Sequence, residues 1–179
     1  DNLEAKPVND LDPKGFIEAA SSLASGTDLG GKPLKGAPKF CMGARIDAWD
    51  DDAEAKERIG EAKAAVDKGA QFLVAPPVFN LDALSGFLQS AGDLGAPVIG
   101  SVLLLKSVGM ARYLNQNLKG IEVSEDTIKR IRTASDRPAE CVKIAAETVK
   151  GLQKVCGGAL LVTTGWEDRL SAILDEAGL

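Results

Sequence analysis

Residues 71–79 read QFLVAPPVF and residues 97–105 read PVIGSVLLL, and between these two runs Asn80 begins a stretch of helical character that extends to Ser90. Both runs are almost continuously apolar rather than alternating, which is typical of strands that are buried on both faces of a parallel sheet. A helix between two such strands forms a βαβ unit. This stretch therefore predicts an α/β fold built on a parallel sheet.

The same strand-then-helix order continues on both sides of this unit. We predict four strands, at 39–46, 71–79, 97–105 and 158–164. We also predict seven helices. Two of them begin after Pro13 and after Ser124, and the other five cover 59–70, 80–90, 107–115, 138–155 and 166–177. Periodicity leaves two architectures open, an open doubly wound parallel sheet and a part of a (β/α)8 TIM barrel. In both, a functional site lies at the carboxyl ends of the strands.

The composition excludes several classes of function. The chain has 179 residues, 21 Lys and Arg against 26 Asp and Glu, a net charge of -5 and no histidine. A Ser-His-Asp triad and a His-based metal site are therefore excluded for this chain alone. The excess of acidic residues argues against nucleic-acid binding, which relies on cationic side chains to neutralise phosphates. The length predicts one domain, residues 1–179.

The cysteines and the apolar runs indicate the compartment. Cys41, Cys141 and Cys156 are widely spaced and form no CxxC pair, which favours reduced thiols over disulfides or a zinc site. We expect Cys41 to be buried within its strand. The longest apolar runs are far shorter than a membrane span. We therefore predict a cytoplasmic protein with no membrane partner.

Two local patterns have alternative interpretations. Asp47 and the acids at 50–52 could hold Mg²⁺ or Ca²⁺, but they precede a helix and are more typical of side chains that complement its N-terminal dipole, so we predict no metal site. Pro76 and Pro77 remove two backbone donors at a strand end. They either shape the wall of a pocket or simply end the strand.

Several segments resemble the methylenetetrahydrofolate reductase family in the order that the family has them. They are LKSVGMARYL at 105–114, VNDLD at 8–12, GAPKFCMGA at 36–44, VDKGAQF at 66–72, GWE at 165–167 and AGL at 177–179. The resemblance implies that this chain is a partial barrel domain that supplies strands five to eight of a flavin-dependent (β/α)8 barrel, the first half of which lies outside it.

The family resemblance also implies an activity and a set of site residues. It implies an oxidoreductase of one-carbon metabolism that uses FAD to convert methylenetetrahydrofolate to methyltetrahydrofolate when the missing half is present. Arg45, Asp47 and Trp49 would then lie near the flavin, and Lys106 and Trp166 near the pterin or its glutamate tail. The resemblance does not identify catalytic residues in this chain.

The chain departs from the family pattern at positions that would contact ligands. Ala75 and Pro76 replace the family's Thr-Gln, and Ala64 and Ala65 stand where some members have basic residues. These departures favour an alternative, a non-catalytic barrel half that acts as a partner subunit. An unclosed half-barrel exposes apolar surface and strand edges, so this alternative predicts self-association or a second chain that completes the barrel.

Overall fold

The computed structural model describes residues 10–179, which contain four β-strands and seven α-helices. In chain order these are α1 (Pro13–Ala24), β1 (Gly43–Arg45), α2 (Asp52–Asp67), β2 (Phe72–Pro77), α3 (Leu81–Ala91), β3 (Val98–Leu103), α4 (Val108–Asn117), α5 (Glu125–Thr133), α6 (Arg137–Leu152), β4 (Gly158–Val162) and α7 (Leu170–Ala177), with a single 3₁₀ turn at Glu167–Arg169. Residues 1–9 of the predicted irregular stretch at 1–11, and the first two residues of the family-like segment at 8–12, lie outside the described residues.

The strands form one parallel sheet in the order β1-β2-β3-β4. Each strand lies beside the next one in the sequence, so the sheet has no reversal of strand order within residues 10–179. Gly43 pairs with Phe72 at the start of β1, and Ile99 pairs with Gly158 at the start of β4. The structure confirms the predicted α/β class and the parallel sheet, and this sheet is open within the described residues.

One face of the sheet, here called the helix face, carries Ala44, Leu73, Ala75, Val98, Gly100 and Val102. Leu73 is 0% exposed and Val102 is 2% exposed. Ala44 packs with residues of α2, and Gly100 lies directly beneath the fully buried Leu152 of α6. Because helices from both ends of the chain pack on this face, it contains most of the hydrophobic core.

The opposite face, here called the open face, is also apolar but is not buried to the same degree. Its larger side chains are Phe72, Val74, Ile99, Leu103, Leu160 and Val162. Within the described part of the chain Leu160 is 45% exposed and the other five are partly exposed. A buried parallel sheet needs cover on both faces, and here the helices cover one.

The helices begin where local side chains predict that they do. The side chains of Asp12, Asn80, Ser107, Ser124 and Asp136 each accept a hydrogen bond from a backbone N–H in the first turn of α1, α3, α4, α5 and α6. These contacts satisfy donors that a helix leaves free at its start. The predicted helix starts at Pro13, Asn80 and Ser124 are therefore confirmed to within a residue.

The strand predicted at 39–46 is too long, because the observed β1 has only Gly43–Arg45. Cys41 lies before this strand and is exposed, so the prediction of a buried Cys41 is wrong. Met42 O accepts from Gln71 N, but the Met42 N–H donates to the Gln71 side chain rather than to a neighbouring strand. As the first strand of the sheet, β1 has one neighbour and correspondingly fewer backbone partners.

Candidate functional site

The carboxyl ends of all four strands meet at one edge of the sheet, and the five predicted site residues lie there. Arg45 is the last residue of β1, and its guanidinium forms an ion pair of 2.7 Å with the carboxylate of Asp47. Their side chains are 77% and 53% exposed, so the pair lies in solvent at the end of the open face. The structure thus brings Arg45 and Asp47 together.

A cleft opens at the ends of β1 and β2, and Pro76 is part of its wall. The ladder between these strands continues as far as the bond from Ile46 N–H to Val74 O, at 2.8 Å. Backbone groups alternate in direction along a strand, so the next donor of β2 that faces β1 belongs to position 76. Proline has no N–H there. The ladder between β1 and β2 therefore gains no hydrogen bond from position 76, and the ladder between β2 and β3 shifts in register between Val74 and Pro77.

This β1–β2 cleft has a volume of about 640 Å³. The exits of the two strands, the start of α3 and the connection between α4 and α5 surround it. Its lining includes Trp49, Asp50, Pro76, Pro77, Asn80, Leu84, Lys119, Gly120 and Glu122. Trp49 is stacked on Phe87 of α3, with ring centroids 4.2 Å apart and an angle of 22° between the planes. Both interpretations of the double proline are therefore observed, because Pro76 and Pro77 line the pocket and β2 also ends at Pro77.

The connection between α4 and α5 is held against the loop that follows β1. Lys119 Nζ donates to Glu54 and lies 3.7 Å from Asp50 Oδ2. The hydrogen bond from Lys119 lowers the pKa of the Glu54 carboxyl, and the same bond raises the pKa of Lys119. Gly120 has a φ of +68°, and a Cβ at this position would lie 2.7 Å from Trp49 N. Glycine therefore permits both the backbone turn and the close approach.

A second cluster lies at the ends of β3 and β4. Lys106 Nζ donates to Thr164 O and lies 5.8 Å from the ring centroid of Trp166. The guanidinium carbon of Arg169 lies 5.9 Å from the same ring. Both distances are within the range of a cation–π contact. The structure therefore brings Lys106 and Trp166 together, with Arg169 as a second cation that the sequence interpretation did not include.

The backbone of this second cluster has an uncommon conformation. Thr164 has a φ of +51°, the single positive value at a non-glycine residue among those described, and Gly165 follows with +89°. The Glu167 carboxylate accepts 2.8 Å hydrogen bonds from the Thr163 hydroxyl and from Gly165 N–H. Hydrogen bonds from its own backbone N–H and from these two groups lower the pKa of Glu167. Glu167 thereby stabilises the turn that presents Trp166.

The five predicted site residues thus form two pairs and one separate residue. Trp49 lines the cleft with α3 and does not join Arg45 and Asp47. Sequence interpretation missed Glu122 as a lining residue, since it lies on a connection whose position depends on tertiary contacts. Its one sequence signal was its place in the stretch at 118–122 between two capped helices.

The acidic residues after β1 have different partners. The Asp51 side chain accepts hydrogen bonds of 2.9 Å from Ala53 N–H and Glu54 N–H and caps α2, which confirms the predicted helix-start role for Asp51, whereas Asp47 pairs with Arg45. Within residues 10–179, no group of three His, Cys, Asp or Glu side chains lies close enough together to hold a metal ion. Over the same residues, no helix has the length and apolar character that crossing a membrane requires.

The fold is similar to that of a solved structure described as an uncharacterized protein from Clostridium thermocellum that binds two copies of 5-methyl-5,6,7,8-tetrahydrofolic acid. The TM-score is 0.56 at 12% sequence identity, and the match covers 80% of this chain and 54% of that chain. This chain therefore spans about half the length of that neighbour. No protein-family model and no curated protein matches this sequence. At this identity the likeness shows a shared fold.

Proposed function

We propose that this protein binds a folate-type ligand at the carboxyl edge of its sheet. The observation that carries the proposal is the cluster of Lys106, Arg169 and Trp166 at the ends of β3 and β4, where an aromatic ring lies beside Lys106 and beside Arg169, whose guanidinium also pairs with Asp168 at 3.2 Å. A folate ends in an aminobenzoyl glutamate tail, which combines an aromatic ring with carboxylates, and these two chemistries match such a cluster. The folate ligand of the structural neighbour supports the same choice.

We further propose that the sheet is half of a (β/α)8 barrel. Sequential parallel strands with helices on one face are the arrangement of a barrel wall, since right-handed crossovers that move in one direction place every helix on the same side. The apolar open face then corresponds to the barrel interior, where branched side chains form layers. The chain's match to about half of its structural neighbour supports this assignment.

The finer proposal is a flavin-dependent reductase of the methylenetetrahydrofolate reductase type, and the sequence resemblance supports it. The described residues alone do not fit a flavin well. Arg45 is neutralised by Asp47, Lys119 is engaged by Glu54 and Asp50, and Trp49 is packed against Phe87. FAD binding is therefore proposed only for a barrel completed by a second half, with Arg45 and Asp47 at its edge.

The open face favours a second candidate function, that of a non-catalytic partner subunit. Its apolar side chains and the two outer strands of the sheet are suited to contact another half-barrel. The second half would come either from a second copy of this chain or from a different chain. Reconstitution with FAD separates the two candidates, because only the reductase retains flavin absorbance after gel filtration and oxidises methyltetrahydrofolate.

Titration with 5-methyltetrahydrofolate tests ligand binding directly. The protein has two tryptophans, Trp49 and Trp166, both at the carboxyl edge, so quenching of their fluorescence reports binding there. We expect Lys106→Ala to weaken binding roughly tenfold or more, because a charge-assisted contact to the ligand is lost. Lys154→Ala removes an exposed lysine between α6 and β4 and is the matched control.

Three results decide the proposal of folate binding. Saturable quenching that Lys106→Ala weakens and Lys154→Ala leaves unchanged supports it. Quenching that both variants leave unchanged removes Lys106 from the site. No binding of 5-methyltetrahydrofolate at any concentration, by fluorescence and by calorimetry, overturns the proposed function.

A further inference from the structure

The β1–β2 cleft is an open pocket whose lining combines polar side chains with fixed apolar ones. Trp49 is held in place by its stacking on Phe87, and Leu84 is 3% exposed. Pro76 and Pro77 add two rings that have no freedom about φ. A cleft of about 640 Å³ lies in the size range of small-molecule sites, and these apolar groups form one part of its lining. Little ordering is needed before a flat ligand enters, because these walls are already fixed.

The polar groups of the cleft are mainly hydrogen-bond acceptors. Its lining contains the carboxylates of Asp50 and Glu122 and a single cation, Lys119. Lys119 is engaged by Glu54 and Asp50, so its charge is compensated. Pro76 and Pro77 contribute carbonyl oxygens and no N–H groups. A phosphate or carboxylate would meet uncompensated negative charge here, whereas a neutral or cationic group with N–H donors would find acceptors.

Glu122 lines the cleft, is exposed, and is the acceptor that we consider for such a group. Among the hydrogen bonds and ion pairs formed within residues 10–179, none engages its carboxylate, while Asp50 lies near Lys119 and Asn80 Oδ1 accepts from Ala83 N–H. A carboxylate accepts two parallel N–H donors in a planar, bidentate arrangement. An aminopyrimidine edge presents such a pair of donors, from its ring nitrogen and its exocyclic amine.

We propose that the β1–β2 cleft binds the aminopyrimidine edge of the ligand's heterocycle, with Glu122 accepting its N–H donors and Trp49 contacting its ring. The cluster of Lys106, Arg169 and Trp166 then receives the anionic tail. Neighbouring strands are about 4.8 Å apart, so the two sites are separated by roughly 10 Å, which an extended folate can span. This orientation of the ligand rests on the proposed function, because it assumes a ligand that has both a heterocycle and an anionic tail.

Two fragments of the ligand separate the two sites. The first probe is 2-amino-4-hydroxypteridine, which has the heterocycle alone, and the second is N-(4-aminobenzoyl)-L-glutamate, which has the anionic tail alone. Each is titrated by calorimetry, together with 5-methyltetrahydrofolate, into the unaltered protein and into the variants Glu122→Gln and Lys106→Ala. Glu176→Gln changes an exposed carboxylate on α7 and is the matched control.

We expect Glu122→Gln to weaken binding of the pteridine and of 5-methyltetrahydrofolate by roughly 10- to 100-fold, because a charged acceptor of two hydrogen bonds is lost. It leaves binding of the aminobenzoyl glutamate unchanged. Lys106→Ala weakens binding of the aminobenzoyl glutamate and of 5-methyltetrahydrofolate and leaves binding of the pteridine unchanged. Glu176→Gln weakens none of the three. An unchanged melting temperature shows that Glu122→Gln retains the fold.

The experiment distinguishes a wrong ligand orientation from a wrong proposed function. If 5-methyltetrahydrofolate binds and Glu122→Gln behaves like Glu176→Gln, the orientation is overturned and the proposed function remains. If the pteridine binds in a Glu122-dependent manner and 5-methyltetrahydrofolate does not bind, the cleft assignment stands and the folate function is overturned. Absence of binding by all three compounds overturns both.

Discussion

The two faces of the sheet have similar side chains and different surroundings. Leu73 and Val74 are adjacent in β2, yet Leu73 is 0% exposed on the helix face while Val74 is partly exposed on the open face. The difference does not come from hydrophobicity. It comes from the helices, which pack on one face within the described residues. An apolar strand therefore does not by itself reveal which of its faces the folded chain covers.

The largest expected effect belongs to the helix face. Leu152→Ala removes a fully buried side chain of α6 that covers Gly100, so we expect a loss of about 2–5 kcal/mol in the free energy of unfolding. Val74→Ala on the open face is the paired variant and should cost less than about 1 kcal/mol, since its side chain already contacts solvent. Urea denaturation with unchanged m-values measures both. Equal losses would show that the open face is covered in solution.

The second largest effect on the free energy of unfolding is expected at Gly100, where the backbone closely approaches Leu152. A Cβ at this position would overlap the side chain of Leu152, so Gly100→Ala should destabilise the protein by about 1–3 kcal/mol. The matched control is Gly86→Ala in α3, where no other atom lies within 4 Å of the added Cβ. Alanine there should stabilise the helix by up to about 1 kcal/mol. The comparison fails if the two variants shift the melting temperature in the same direction.

An ion-pair network ties the helical layer together. Arg130 of α5 donates to Glu140 at 2.8 Å and to both oxygens of Glu147 at 2.7 and 2.9 Å. Hydrogen bonding from Arg130 lowers the pKa of Glu147. The network is partly exposed, so Glu147→Gln should cost no more than about 1 kcal/mol near neutral pH.

The pH dependence of this effect has a definite sign. Because the folded-state pKa of Glu147 is depressed, its contribution is present above the unfolded-state value and is lost as the pH falls through the folded-state pKa. The unaltered protein and Glu147→Gln should therefore converge in stability in acid. Chemical denaturation at a series of pH values from neutral to acidic measures this, and a constant difference would contradict it.

The smallest effect on stability is expected at the open face. Leu160 is 45% exposed on β4, and Leu160→Gln should change the free energy of unfolding by less than about 0.5 kcal/mol. Sedimentation velocity of the same variant sharpens the comparison of the two faces. If a second copy covers the open face, the unaltered protein sediments as a dimer and Leu160→Gln shifts it towards the monomer. Identical monomeric sedimentation of both proteins counts against self-association through this face.

Features that depend on neighbours in the sequence were predictable. Asp12, Asn80 and Ser124 mark helix starts because their side chains accept from N–H groups three residues later. The carboxyl ends of the strands, and hence the edge that carries Lys106 and Trp166, followed from the order of strands and helices. Cys41 was mispredicted as buried because its apolar neighbourhood resembles a strand, whereas the observed β1 begins at Gly43.

The sequence by itself determined an α/β chain with parallel strands, its helix starts and the edge at which its candidate residues lie. Only the tertiary structure decided which face of the sheet is covered, and that Trp49 joins the cleft rather than the Arg45–Asp47 pair. The cleft depends on both the sequence and the tertiary structure. The sequence contains Pro76, but Pro76 lines a cleft only because the folded chain places it opposite the end of β1. Helix starts depend on residues a few positions apart in the sequence. The covering of a sheet face, the formation of a cleft and the pairing of side chains depend on segments that meet only after folding.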